Sequence, residues 1–361
     1  MYDTEMMSIR ELATQPVLDY DQDLLISAID DAYDRWQENE NYARRAERAG
    51  APDQIDSFED VFELPTIDMR EFKQHPEDLV IDPEAVDEQY ALFSSGTTGD
   101  SRSYTLRSER GYHRHRNTFQ EFASALFPDD LSYVAILGPG PETLDSLPRQ
   151  QAQRAVFTYP QWIFDQYDHD YFLDISPSGE RQPRFDELLA AVRERDAPTA
   201  IFGVPALLDA LAARITAEET TVELGEESLI MTAGGWKGIE NADSEAFRRR
   251  LQKAFGIPPA RHADFYGSTE VFTPTGNRVG DPSPDLKRIP SRGFAFVVDE
   301  DHFRRTGELQ RIENGETGLL VVVDPLNPDY PGVILTDDLM RKTGGVYGAD
   351  VRIEYVGRST Q

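Results

Sequence analysis

Ser94-Ser95-Gly96-Thr97-Thr98-Gly99-Asp100-Ser101 is the stretch that decides how the rest of this chain is read. Its glycines let the backbone fold tightly enough for several N–H groups to converge on one anion. Its hydroxyls add donors without bulk. The apolar Leu92-Phe93 precedes it as the end of a strand. An ordinary flexible Ser/Gly loop is the plain alternative. A lysine-bearing phosphate loop is not, because Asp100-Ser101 stands where Gly-Lys-Ser/Thr is needed. Gly138-Pro139-Gly140 lacks the third glycine of a dinucleotide fingerprint.

Working outward, residues 90–270 alternate strand and helix. Tyr133–Leu137, Thr199–Val204, Ser228–Thr232 and Asp264–Tyr266 read as strands. Helices are expected from Phe185 to Arg195, from Pro205 to Ile215, and from a Ser244 cap to Phe255 with Gly256 as its stop. Such alternation predicts the α/β class, with a mostly parallel sheet covered by helices and ligands bound beyond the strand ends. Residues 1–89 read as a helical, peripheral part with Leu25, Ile29, Ala32 and Trp36 on one face, and no chemistry is assigned to it. Residues 290–361 carry short β-runs at Phe294–Val298, Gly318–Val323, Val333–Thr336 and Val351–Val356. The division expected is 1–89, 90–289 and 290–361.

Downstream stands Tyr266-Gly267-Ser268-Thr269-Glu270, ending in a carboxylate of the kind that binds magnesium alongside phosphate oxygens. Alone it also reads as a turn. Thr232-Ala233-Gly234-Gly235-Trp236-Lys237 closes another strand; Trp236 also reads as a core residue and Lys237 as a surface one.

These elements, in this order, resemble the signatures of the adenylate-forming superfamily over roughly residues 90–358. The Gly-Gly-Trp-Lys wording more specifically resembles its acyl-protein synthetase branch, LuxE-type, with phenylacetate-CoA ligases as kin. The resemblance implies activation of a carboxylic acid by ATP and Mg2+ to an acyl-adenylate. Acyl transfer to a partner protein, a carrier thiol or CoA would follow. It implies that Ser94, Ser95, Gly96, Thr97, Thr98 and Gly99 hold the β- and γ-phosphates. Thr269 would hold the α-phosphate, beside Gly267 and Ser268, and Glu270 the magnesium. Gly234 and Gly235, with Trp236 beside them, would take adenine, on which Tyr266 would stack. Thr336-Asp337-Asp338 resembles the Thr-Gly-Asp element, with Asp338 on the ribose and Asp337 in the glycine's place. Arg358 of Gly357-Arg358 would reach the same sugar. Phe202-Gly203 would border the acyl pocket. The family's lysine after the first loop is missing; the nearest cation is Arg102, then Arg107, and Arg102 and Lys237 are the candidates for phosphate chemistry.

Standard members continue for about another hundred residues with a further lysine, so a large-domain fold without the usual C-terminal small domain is expected. The LuxE branch is thought to pass its acyl group through a cysteine, and these 361 residues contain none. A fatty acid is the favoured substrate. An aryl acid CoA ligase lacking its C-terminal domain and a non-catalytic nucleotide-binding scaffold are the alternatives. His113-Arg114-His115-Arg116 reads as a solvated helix end, and Arg248-Arg249-Arg250 as a solvated face.

The formal charge is −30, and only Lys73, Lys237, Lys253, Lys287 and Lys342 are lysines. An acidic, lysine-poor, cysteine-free composition predicts a halophilic protein whose self-repulsion is screened by salt. Charge also disfavours nucleic acid as a partner. No apolar run approaches a membrane span, and no secretion signal is visible, so a cytoplasmic protein is expected.

Overall fold

A computed structural model describes residues 6–94, 103–218, 221–235, 243–281, 283, 285–344 and 352–359. One long sheet runs through the molecule. Its parallel part has the order His262–Tyr266, Leu229–Ala233, Thr199–Gly203, Tyr133–Leu137, Asp168–Tyr171. Beyond His262–Tyr266 the pairing turns antiparallel through Thr275–Gly276 and Leu286–Arg288. It continues through Arg352–Arg358, Val333–Gly344 and Thr317–Val323 to Phe294–Val298.

The parallel strands are apolar on both sides because both faces are covered. Successive residues of a strand point oppositely. Val134 and Ile136 pack with Phe119, Phe122 and Trp162, from the helices Glu109–Leu126 and Ala155–Phe164. Tyr133, Ala135 and Leu137 pack on the other side with Leu188, Leu208 and Leu251. Full burial of one such side chain contributes about 1.5–3 kcal/mol. Helix ends follow local chemistry. Asp243, rather than Ser244, caps the helix Ser244–Phe255 by accepting from the Ala246 N–H at 2.9 Å. Gly256 stops it at φ 71.

The N-terminal helices cover the antiparallel half. Leu25, Ile29, Ala32 and Trp36 share one core with Val297, Val321 and Ile334. Gly332 is required there, since a β-carbon would stand 2.6 Å from the Trp36 ring. Ile67–Asp68 pairs in parallel with Ile334–Leu335, so this part also adds a strand. That strand leads directly into the short helix Glu71–Gln74, which reaches the site described next. No helix among the described residues is long and apolar enough to cross a membrane.

Candidate active site

The strands Val86–Phe93 and Tyr104–Ser108 form an antiparallel hairpin whose connection is the Ser/Gly/Thr loop. Phe93 faces Tyr104, their rings stacked 5.7 Å apart, and the Ser94 N–H donates to the Ser103 carbonyl at 2.9 Å. These contacts clamp the loop's two ends together. Ser95, Gly96, Thr97, Thr98, Gly99 and Arg102 lie outside the described residues, as do Trp236 and Lys237.

Ser94 and Ser103 line one cavity together with Gly267, Ser268, Thr269 and Glu270. The described flanks of the first loop and the second loop therefore share one cavity. Gly234, Asp338 and Arg358 line it too, and so does Phe202. Gly203, Gly235 and Tyr266 are not among its lining residues. Gly234 and Gly235 take φ of 87° and 61°, a conformation that side chains with a β-carbon resist.

Buried donors fix the peptides of the second loop. The Tyr159 hydroxyl donates to the Ser268 carbonyl at 2.9 Å. Arg107 donates from Nη2 to the Thr269 carbonyl at 2.8 Å, and the Thr105 hydroxyl donates to the same oxygen at 3.2 Å. With both carbonyls held in the core, Thr269 and Glu270 are oriented by the backbone. Both are almost fully buried, and the Thr269 hydroxyl donates to Glu270 Oε2 at 2.8 Å.

Arg107 is itself fully buried. Its Nη1 donates to Asn327 Oδ1 at 3.2 Å and stands 3.8 Å from Asp329, and its guanidinium lies 4.4 Å over the Phe272 ring. Burial raises the pKa of Asp329, with Arg107 opposing the shift. Asp324, which accepts from the Phe272 N–H at 2.8 Å, is pushed up to about 6 by burial, against the pull of its hydrogen bonds and Arg107.

At the cavity's other end the Tyr266 hydroxyl donates to Asp338 Oδ2, and Arg358 Nε donates to Oδ1 at 3.1 Å. Burial raises the Asp338 pKa, opposed chiefly by Arg358. Burial, followed by the charge of Asp338, pushes the Tyr266 phenol well above its ordinary value, so it stays a donor. Each carboxylate oxygen has capacity for one further donor. A third wall is apolar, made by Phe119, Val156, Tyr159, Ile163 and Phe265.

A family model for the acyl-protein synthetase LuxE matches residues 170–361, more than half of the chain. The chain belongs to the LuxE family. It is thus an adenylate-forming ligase that activates an acid and passes on the acyl group. Among solved structures it is similar to an open conformation of 2-hydroxyisobutyryl-CoA ligase in complex with 2-HIB-AMP and CoA. Identity there is 15%, over 93% of this chain and 74% of that one, with a TM-score of 0.63. The same ligase in its postadenylation state with R3-HIB-AMP is 16% identical over 93% and 67%, at a TM-score of 0.61. These likenesses show the shared fold. No curated protein matches the sequence.

For this LuxE-family chain two sequence expectations need correction. His115 is not at a solvated helix end: it is fully buried and stacked 4.4 Å from Phe272, because its helix turns that face inward. Burial, then the Arg107 charge, push its pKa well below the ordinary value, so it is a neutral ring. In the run Arg248-Arg249-Arg250, Arg248 pairs with Asp285 at 2.5 Å and Arg250 with Asp209 at 2.7 Å, and Arg249, the most exposed of the three, pairs with Glu245 on its own helix at 3.3 Å. Sequence reading named Arg107 only as a cation near the first loop and missed its burial with Asn327 and Asp329. The polar residues packed into the proline-rich Asp324-Pro325-Leu326-Asn327-Pro328-Asp329-Tyr330 were the available signal.

Proposed function

We propose that the chain uses Mg-ATP to activate an apolar carboxylic acid, most simply a fatty acid, and then transfers the acyl group to a separate acceptor. The observation that carries this reading is the shared cavity, in which the ends of the phosphate-type loop face Thr269 and Glu270. The substrate carboxylate attacks the α-phosphorus in line, forming an acyl-phosphate P–O bond and releasing pyrophosphate. The loop from Ser94 to Gly99 holds the β- and γ-phosphates, and Thr269 holds the α-phosphate. Asp338 and Arg358 take the ribose hydroxyls. Adenine lies against Gly234, and Tyr266, behind the cavity wall, holds the Asp338 carboxylate through its hydroxyl.

The donor chemistry fits magnesium. Among the described residues no group of three or more His, Cys, Asp or Glu is placed to hold a metal ion. Glu270 would therefore hold the ion with phosphate oxygens supplying the other ligands, the usual arrangement for magnesium. Bound there, magnesium would offset charge on the phosphates. Rate enhancement then rests on positioning and on fixed charge. The apolar wall of Phe119, Val156, Tyr159, Ile163 and Phe265 supports a hydrocarbon chain or ring on the acid. With no cysteine in these 361 residues, the acceptor is CoA, a carrier thiol, or a hydroxyl or amine on a partner.

ATP–pyrophosphate exchange across a panel of acids in molar KCl tests the reading. Exchange with long-chain acids supports it. Exchange confined to aryl acids redirects the substrate, and ATP binding without exchange with any acid means a nucleotide-binding scaffold.

A further inference from the structure

The cavity has two basic side chains among its described lining residues, Arg358 and Lys73. Arg358 is held by the Asp338 carboxylate at 3.1 Å. Lys73 is different. Its nearest described carboxylate is Asp337, at 3.8 Å, beyond hydrogen-bond distance, and its charge also acts on Asp68. Its side chain is 37% exposed, so the ammonium is both solvated and able to swing. The backbone beneath it is fixed. The neighbouring Phe72 is fully buried with its ring 5.1 Å from Tyr330, and Glu71 receives both arms of the Arg45 guanidinium. The Tyr330 hydroxyl in turn accepts from the Leu106 N–H at 2.7 Å, on the strand that leaves the phosphate-type loop. A flexible cation therefore stands on a rigid short helix at the rim of the cleft. It is one of only five lysines in a chain that otherwise uses arginine.

We infer that Lys73 is a nucleotide-contacting residue, whose ammonium leaves Asp337 to pair with a phosphate oxygen of bound ATP. This rests on the reading of the cavity as the ATP site. It assigns chemistry to the N-terminal helical part. A compact ammonium with three rotatable donors suits a phosphate whose charge shifts during the reaction. Asp337 keeps that cation at the rim until a more strongly charged partner arrives. Removing a charged donor to a phosphate typically costs about 10²-fold when the contact tightens in the transition state.

Calorimetry and exchange kinetics on Lys73→Ala and Lys73→Arg test this. For Lys73→Ala we expect ATP affinity to fall about 10-fold with adenosine affinity unchanged. We expect kcat/KM for ATP in exchange to fall about 10²-fold. The melting temperature should stay at the wild-type value, because an exposed pair of this kind adds little to stability. Lys73→Arg should recover most of both losses. Unchanged ATP affinity and exchange in Lys73→Ala overturn the assignment, as does equal weakening of ATP and adenosine. If the wild-type protein neither binds ATP nor exchanges pyrophosphate, the reading of the cavity itself fails; a normal wild type with an unaffected Lys73→Ala refutes Lys73 alone.

Discussion

Arg107 donates a 2.8 Å hydrogen bond to the carbonyl oxygen of Thr269, so the strand leaving the first loop holds the peptide that carries the second. Arg107 and Thr269 are 162 positions apart in the sequence. Their coupling through one guanidinium makes loop spacing a property of the core.

That cation is fully buried among Asn327, Asp329 and Phe272, and its loss leaves buried polar groups unpaired. Removing one partner of a buried charged cluster typically costs about 3–5 kcal/mol. Arg107→Met should show a loss of that size in urea denaturation. Arg107→Lys keeps the charge, yet an ammonium lacks the planar fork that reaches both Thr269 and Asn327. We expect that variant to stay folded with exchange slowed about 10²-fold, the scale of a small displacement of reacting groups. A fully active Arg107→Lys would show that the clamp does not set the geometry.

Two glycines with similar backbone angles separate conformation from function. Gly234 has φ 87 and lines the cavity, whereas Gly256 has φ 71 and ends a helix elsewhere. Alanine in the left-handed region costs about 1–2 kcal/mol. Both Gly234→Ala and Gly256→Ala should lower stability by that amount in denaturant titrations. Only Gly234→Ala should raise the KM for ATP, since its new methyl group would project at the nucleotide wall near Val156 and Val204.

Asp324 sets a pH dependence of stability. Burial raises its pKa from the ordinary 3.8 to about 6 in the fold. The folded state therefore binds more protons than the unfolded one between those values, and stability falls as pH rises through that window. The span corresponds to about 3 kcal/mol. Above about pH 6 this contribution is fully lost and changes no further. Urea denaturation at stepped pH should give Asp324→Asn a flatter profile between pH 4 and 6 than wild type. Parallel profiles would remove Asp324 from the account.

Much of this site was legible because its chemistry is local. A Ser/Thr/Gly run after an apolar strand, and a carboxylate at the end of Tyr266-Gly267-Ser268-Thr269-Glu270, carry their meaning in adjacent residues. The same holds for the alternating strands and for the helix stop at Gly256. What stayed hidden depends on long-range packing. Arg107 and Asn327 look like surface residues in sequence, and only the fold buries them together. His115 sits in a charged run, and its helical phase turns it inward while His113 stays exposed. Lys73 reaches the cleft because Ile67–Asp68 pairs with Ile334–Leu335, a parallel contact that no periodicity in residues 1–89 announces.

Salt should govern stability. A formal charge of −30 repels itself over a Debye length of about 30 Å at 0.01 M and about 3 Å at 1 M. Tryptophan fluorescence should report unfolding in dilute buffer and recovery of the native signal in molar KCl. A signal unchanged across that range would contradict the halophilic reading.

The most direct measurement is ATP–pyrophosphate exchange by Glu270→Gln, with circular dichroism on the same sample. Glutamine keeps the shape of a buried residue that accepts from Thr269 while removing its charge. The account predicts a native spectrum with exchange reduced to background. Wild-type exchange in a folded Glu270→Gln protein would contradict it.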